Sequence, residues 1–168
     1  MTIESFNRLE KARAKEALAT CCGSAVWVEG MMKGFPFLTR EEIFLRGEEL
    51  WLMRCEEKDW LEAFTHHPKI GDTKSLKEKF TTTKTWAANE QAGVQMADEE
   101  TIVLLAKGNE AYEKKFGFIF IVCATGKSAK EMVALLQLRL PNDYDTELKV
   151  AMQEQNKITK LRLQKLFS

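Results

Sequence analysis

Proline and glycine are scarce in this chain: three prolines and nine glycines in 168 residues. Both residues interrupt helices, so a sequence with long stretches of neither can run helical over most of its length. The apolar residues follow the matching period. From residue 4 to 21, Phe6, Leu9, Ala17 and Cys21 fall near a 3.6-residue repeat that Arg13 interrupts, which predicts one partly buried helix. Thr39 with Glu42 forms a capping box ahead of IFLRGEELWLM. Asp59, with Glu62 three residues on, is expected to cap a short helix through His66 containing Trp60, Leu61 and Phe64. Asp98 opens another helix, Ser128 with Glu131 caps the next, and Asn142 or Asp143 starts a last long one. Its main apolar residues are Leu148, Met152, Ile158, Leu161 and Leu166. No internal repeat, low-complexity stretch or linker divides the sequence. The reading is all-α, a single compact helical domain over residues 1–168 with about eight or nine helices.

One segment resists it. FGFIFIVCA, residues 116–124, is aromatic and β-branched, with Gly117 near its start and Gly126 just past its end. Pattern alone makes it a strand, yet no second convincing strand exists to pair with it. It is expected to be an extended buried apolar segment whose N–H and C=O groups lack a ladder. Those groups either face a ligand or the segment is plain core.

Twenty-five Lys and Arg against twenty-five Asp and Glu give a formal net charge of zero. That balance argues against a nucleic-acid binder, which needs a basic surface to replace counterions, and gives no attraction to an anionic membrane. No stretch approaches the roughly 20 apolar residues of a membrane span. The N-terminal residues have no apolar signal core, and the C-terminal LRLQKLFS is no peroxisomal address, so the cytoplasm is the expected compartment. None of Cys21, Cys22, Cys55 and Cys123 forms a C-x-x-C pair, so reduced, mostly buried thiols are expected rather than a metal site.

Two polar clusters carry chemistry. FTHHPKIGD, residues 64–72, contains His66 and His67, the only histidines in the chain. Pro68 disfavours helical geometry at His67, and Gly71 permits a turn before Asp72. This arrangement aims one imidazole, a group that exchanges protons near neutral pH. The blander alternative is a histidine that merely complements a helix C-terminus. Two adjacent histidines rarely reach one metal, so no metal is expected. TWAANEQAGV, residues 85–94, sets Glu90 and Gln91 among Trp86, Ala87, Ala88, Ala92 and Gly93. A carboxylate and an amide in such a wall suit a ligand rich in N–H and C=O groups; a surface Glu-Gln pair is the alternative.

The order W-V-E-G-M-M, F-P-F, D-W-L-E-A-F-x-x-H-P-K-I-G-D, W-A-x-N-E-Q-A-G, F-G-F-I-F-I-V-C-A, R-L-P-N and L-R-L resembles the OHCU decarboxylases. These are 2-oxo-4-hydroxy-4-carboxy-5-ureidoimidazoline decarboxylases, lyases of the urate-to-allantoin route of purine catabolism. The resemblance runs from about residue 5 to 166, and H-P-x-I-G-D followed by E-Q-x-G is its specific part. It implies a single all-α domain, usually a homodimer, with no metal and no organic cofactor. It assigns His67 and Glu90 as catalytic. Pro68, Ala87, Ala88, Asn89, Glu90 and Gln91 would bind the substrate, as would Phe120, Ile121, Val122, Cys123 and Ala124. There are two departures: Ala87 stands where many members carry a serine, and Thr125 where many carry an arginine. Arg139, Arg162 or Lys127 would have to substitute for that cation.

Decarboxylation without a cofactor needs an electron sink in the substrate. Here the carboxyl-bearing ring carbon also carries a hydroxyl and adjoins a C=N bond, which accepts the electrons that carbon dioxide leaves behind. Protonation from one face would give one enantiomer, (S)-allantoin. Two other functions fit the same residues: a related enzyme acting on another ureido or imidazolinone ring, and a non-catalytic helical interaction domain.

Overall fold

The computed structural model describes residues 1–67 and 95–168. Their regular structure is helical: α1 (Ile3–Asn7), α2 (Lys11–Cys21), α3 (Ala25–Met32), α4 (Arg40–Met53), α5 (Glu57–Thr65), α6 (Gln95–Phe116), α7 (Ala129–Arg139) and α8 (Tyr144–Leu166). No strand occurs among the described residues, as the all-α reading requires.

The chain forms two compact units. The first comprises Met1–His67, Ile121–Cys123 and Leu148–Ser168; the second comprises Pro68–Phe120 and Ala124–Glu147. In the first unit the core gathers Phe6, Leu18, Trp27, Met31, Ile43, Trp51 and Leu163. Three indole N–H groups stitch its helices together. Trp27 on α3 donates to the Gly47 carbonyl of α4 at 2.8 Å, Trp51 on α4 to the Met152 carbonyl of α8 at 2.9 Å, and Trp60 on α5 to the Trp51 carbonyl at 3.3 Å. Trp27 and Trp51 are fully buried and Trp60 packs half-buried against the same core, each with its one polar atom satisfied.

The second unit is built on α6 and α7. Gly117 ends α6 with φ +75, a left-handed conformation that other residues rarely adopt, and its N–H returns to the Glu113 carbonyl at 2.8 Å. Tyr112 packs against Phe116, Phe118 and Phe120 with ring centroids 4.6, 5.8 and 5.1 Å away.

Several expectations need correction. The helix expected from residue 4 to 21 is two helices, α1 and α2. The break carries no proline or glycine; it accompanies a tertiary clamp, in which the Asn7 amide donates to the Phe37 carbonyl and accepts from the Phe37 N–H, at 2.7 and 3.0 Å. Asp59 does not start α5. Glu56 does, and Asp59 closes the capping box from the third position by accepting from the Glu56 N–H at 2.8 Å. Glu62 instead serves another helix, accepting the Ala25 N–H in the first turn of α3 at 2.9 Å. Glu42 reaches back to Leu38 rather than to the cap residue Thr39, which itself accepts from Glu42 N–H. α6 begins at Gln95, three residues before Asp98. The Ser128–Glu131 box and the Asp143 cap form as expected.

On α8 the apolar Met152, Ile158, Leu161 and Leu166 are half-buried, and the buried face runs through Leu148, Ala151, Gln155, Thr159 and Leu163. Two polar residues lie on it. The apolar segment is also less buried than its composition suggests: Phe116, Phe118 and Ile121 are buried, Ile119, Phe120, Val122, Cys123 and Ala124 half-buried, and Gly117 exposed.

Candidate active site

His67 follows the end of α5. Its neighbour His66 is the C-cap residue and lies against the backbone of Gly23. A Cβ at Gly23 would stand 2.4 Å from the His66 ring carbon Cγ, so only glycine admits that ring. With Glu62 bound to the start of α3, two contacts fix the end of α5 on the α2–α3 junction and so set where the chain presents His67.

The imidazole of His67 meets α8. Its Nε2 hydrogen-bonds Oε1 of Gln155, whose side chain is fully buried. The Gln155 Nε2 donates onward to the Thr159 hydroxyl one turn later, at 3.2 Å. Burial pushes the Cys22 thiol up to about 12 and the Cys55 thiol up to about 11. Both therefore stay protonated at neutral pH. All four cysteines are free, three buried and Cys123 half-buried, as expected for structural thiols.

The residue before Gln155 holds the extended segment. Glu154 accepts the Cys123 backbone N–H at 2.8 Å, while its other oxygen takes Lys157. Adjacent residues of one helix thus tie down two separate pieces of the expected site, the histidine and the Ile121–Cys123 backbone. Sequence reasoning missed both. A signal existed in the spacing Leu148, Ala151, Gln155, Thr159, Leu163, but its polar members break the apolar stripe.

Arg139 and Arg162, considered as partners for a substrate carboxylate, have other work. Arg139 is buried in the second unit. Its guanidinium pairs with Glu147 at 2.5 Å and donates to the Tyr112 hydroxyl at 3.3 Å. It also stacks over the Phe120 ring at 4.6 Å. Arg162, in the first unit, donates to the Thr20 and Cys21 carbonyls at 3.3 and 3.4 Å, the open end of α2. Thr125 is exposed. Pro68, Ala87, Ala88, Asn89, Glu90 and Gln91 lie outside the described residues, as does Trp86. No group of three or more potential metal ligands occurs among the described residues.

A family model described as OHCU decarboxylase matches residues 7–164. The chain belongs to the OHCU decarboxylase family. The uric acid degradation bifunctional protein TTL of Arabidopsis thaliana is 38% identical over 148 residues, which are 88% of this chain and 45% of that protein. The chain therefore spans less than half the length of this bifunctional relative. A 2-oxo-4-hydroxy-4-carboxy-5-ureidoimidazoline decarboxylase of Haloferax volcanii is 24% identical over 169 residues, covering 100% of this chain and 97% of the relative. A crystal structure of OHCU decarboxylase in the presence of (S)-allantoin matches with a TM-score of 0.72 and 38% identity, over 91% of this chain and 97% of that one. The structural match accords with the helical architecture.

Proposed function

We propose that this chain decarboxylates 2-oxo-4-hydroxy-4-carboxy-5-ureidoimidazoline to (S)-allantoin in urate degradation, without a cofactor. The observation that carries this reading is His67, in a chain of this family, held by a fully buried amide just past a helix end. An imidazole serving only the helix dipole needs no such partner.

The roles follow from the chemistry. The substrate's C=N bond takes the electrons left by carbon dioxide. His67 exchanges protons with the hydroxyl and the ring carbon. Glu90, with Gln91, holds the ureido arm and ring amides, and the Ala87–Asn89 stretch with Pro68 walls the ring. The Phe120–Ala124 backbone offers N–H and C=O groups to the ring. Glu154 already holds the Cys123 N–H and so orients this segment. With Thr125 in place of an arginine, ground-state binding of the carboxylate is weaker than in arginine-bearing relatives, while the rate of carbon dioxide loss is not. A strong ion pair to a departing carboxylate stabilises the ground state more than the transition state.

We read the enzyme as a cytoplasmic homodimer. No described helix is long and apolar enough to cross a membrane. The exposed Leu45 and Leu52, two turns apart on α4, supply apolar surface for a second copy.

The test generates the substrate in place from urate with urate oxidase and hydroxyisourate hydrolase, and follows circular dichroism. Optically active allantoin should accumulate faster with this protein than without it. Equal rates and a racemic product would overturn the assignment.

A further inference from the structure

A histidine that moves protons needs a defined tautomer, and the tautomer is set by the hydrogen bond its other nitrogen makes. The partner here can be read in direction. The Gln155 amide nitrogen donates to the Thr159 hydroxyl and the amide oxygen faces His67. A carbonyl oxygen only accepts, so Nε2 of His67 carries a proton.

We propose that Gln155 is the positioning residue of His67: its buried amide oxygen holds the imidazole in the Nε2-protonated tautomer and assigns proton exchange with the substrate to Nδ1. The proposal rests on the acid/base role given to His67 above. It explains why a polar side chain with no exposure stands on the buried face of α8 between Ala151 and Leu163. It also gives Thr159 a role, as the neutral acceptor that orients the amide.

The chain's two histidines make the test direct. In a His66→Asn background, ¹⁵N-labelled imidazole reports His67 alone. Two-bond ¹H–¹⁵N correlation spectra above the imidazole's titration range should show Nε2 protonated and Nδ1 bare. In Gln155→Leu, similar in size but unable to accept, the two tautomers should mix. In the decarboxylation assay kcat should fall about 10–100-fold, the range for removing an orienting partner, with KM within about twofold. Gln155→Glu, which retains an acceptor oxygen, should keep Nε2 protonated. A wild-type His67 protonated at Nδ1 overturns the proposal without any variant at Gln155, whether or not Gln155→Leu folds. So does an unchanged Nε2 tautomer in a folded Gln155→Leu. A wild-type protein that fails to decarboxylate would sink the functional reading, and the tautomer spectra would still decide the hydrogen bond.

Discussion

Among the described residues each unit buries a polar cluster, and the two are built on opposite principles. In the second unit Arg139, Glu147, Tyr112 and Asn142 close on one another. Glu147 accepts from the guanidinium, the tyrosine hydroxyl and the Asn142 amide, and it is fully buried. Burial and the adjacent Glu147 carboxylate push the Tyr112 hydroxyl far above its ordinary range, so that hydroxyl stays protonated at neutral pH. In the first unit Thr159 and Gln155 are neutral, and the chain they form ends on the His67 imidazole, a group of the kind that exchanges protons near neutral pH. A saturated ion pair fixes structure; a neutral relay ending on a titratable ring supports chemistry.

The comparison breaks most visibly at the ion pair. Glu147→Ala leaves the Arg139 charge buried and uncompensated, which should cost about 3–5 kcal/mol in denaturant unfolding. Protein that still folds should keep kcat within a few-fold. A loss below about 1 kcal/mol would mean that Arg139 finds water, and that the cluster is not closed. Glu154→Ala attacks the other side. Removing a charged acceptor from the Cys123 N–H costs about 1.5–3 kcal/mol, spread between stability and the order of the extended segment. KM should rise several-fold; an unchanged KM would take that segment out of the binding site.

Gly23→Ala should displace His66 and cost about 1–3 kcal/mol, the penalty for overpacking. Because His67 follows directly, its kcat should fall as well. Full activity in a destabilised Gly23→Ala protein would show that His67 is positioned by α8 alone.

The gentlest probe is alkaline pH. The Cys22 thiol, at about 12 in the folded protein, ionises in the unfolded chain near 8.5. Its folded value is raised, so its contribution to stability is complete below about pH 8.5 and is lost as pH climbs toward 12. Cys22→Ala should flatten the fall of unfolding free energy between about pH 9 and 11. Identical slopes in both proteins would show that this thiol is more solvated than its position indicates.

These two clusters were legible in the sequence to different degrees. The helical class, the Ser128–Glu131 box and the Asp143 cap follow from local rules, since short-range spacing determines them. His67 stands out because Pro68 restricts the backbone behind it. Glu154, Gln155 and Thr159 do not stand out: their value depends on which face of α8 is buried, and polar side chains on that face hide it from any apolar period. Glu62 and Asp59 show the same limit at closer range. The Asp-Glu pair does fit a cap, but Glu56 occupies the cap position and the partner of Glu62 is the N-terminus of α3, 37 residues away in sequence. Arg139 and Arg162 likewise look available as substrate cations in the sequence, and both are engaged once the chain folds.

The central claim is that His67, and not its neighbour, carries the proton. With the substrate generated in place, the rate of optically active allantoin formation is compared for the wild type, His66→Asn and His67→Gln. In His67→Gln the amide can still donate to Gln155, so the variant should fold with a melting temperature near wild type. It should lose about 10²–10⁴-fold in rate, the usual contribution of a general acid or base, while His66→Asn stays within a few-fold. A His67→Gln protein that keeps more than about a tenth of the wild-type rate would contradict the account.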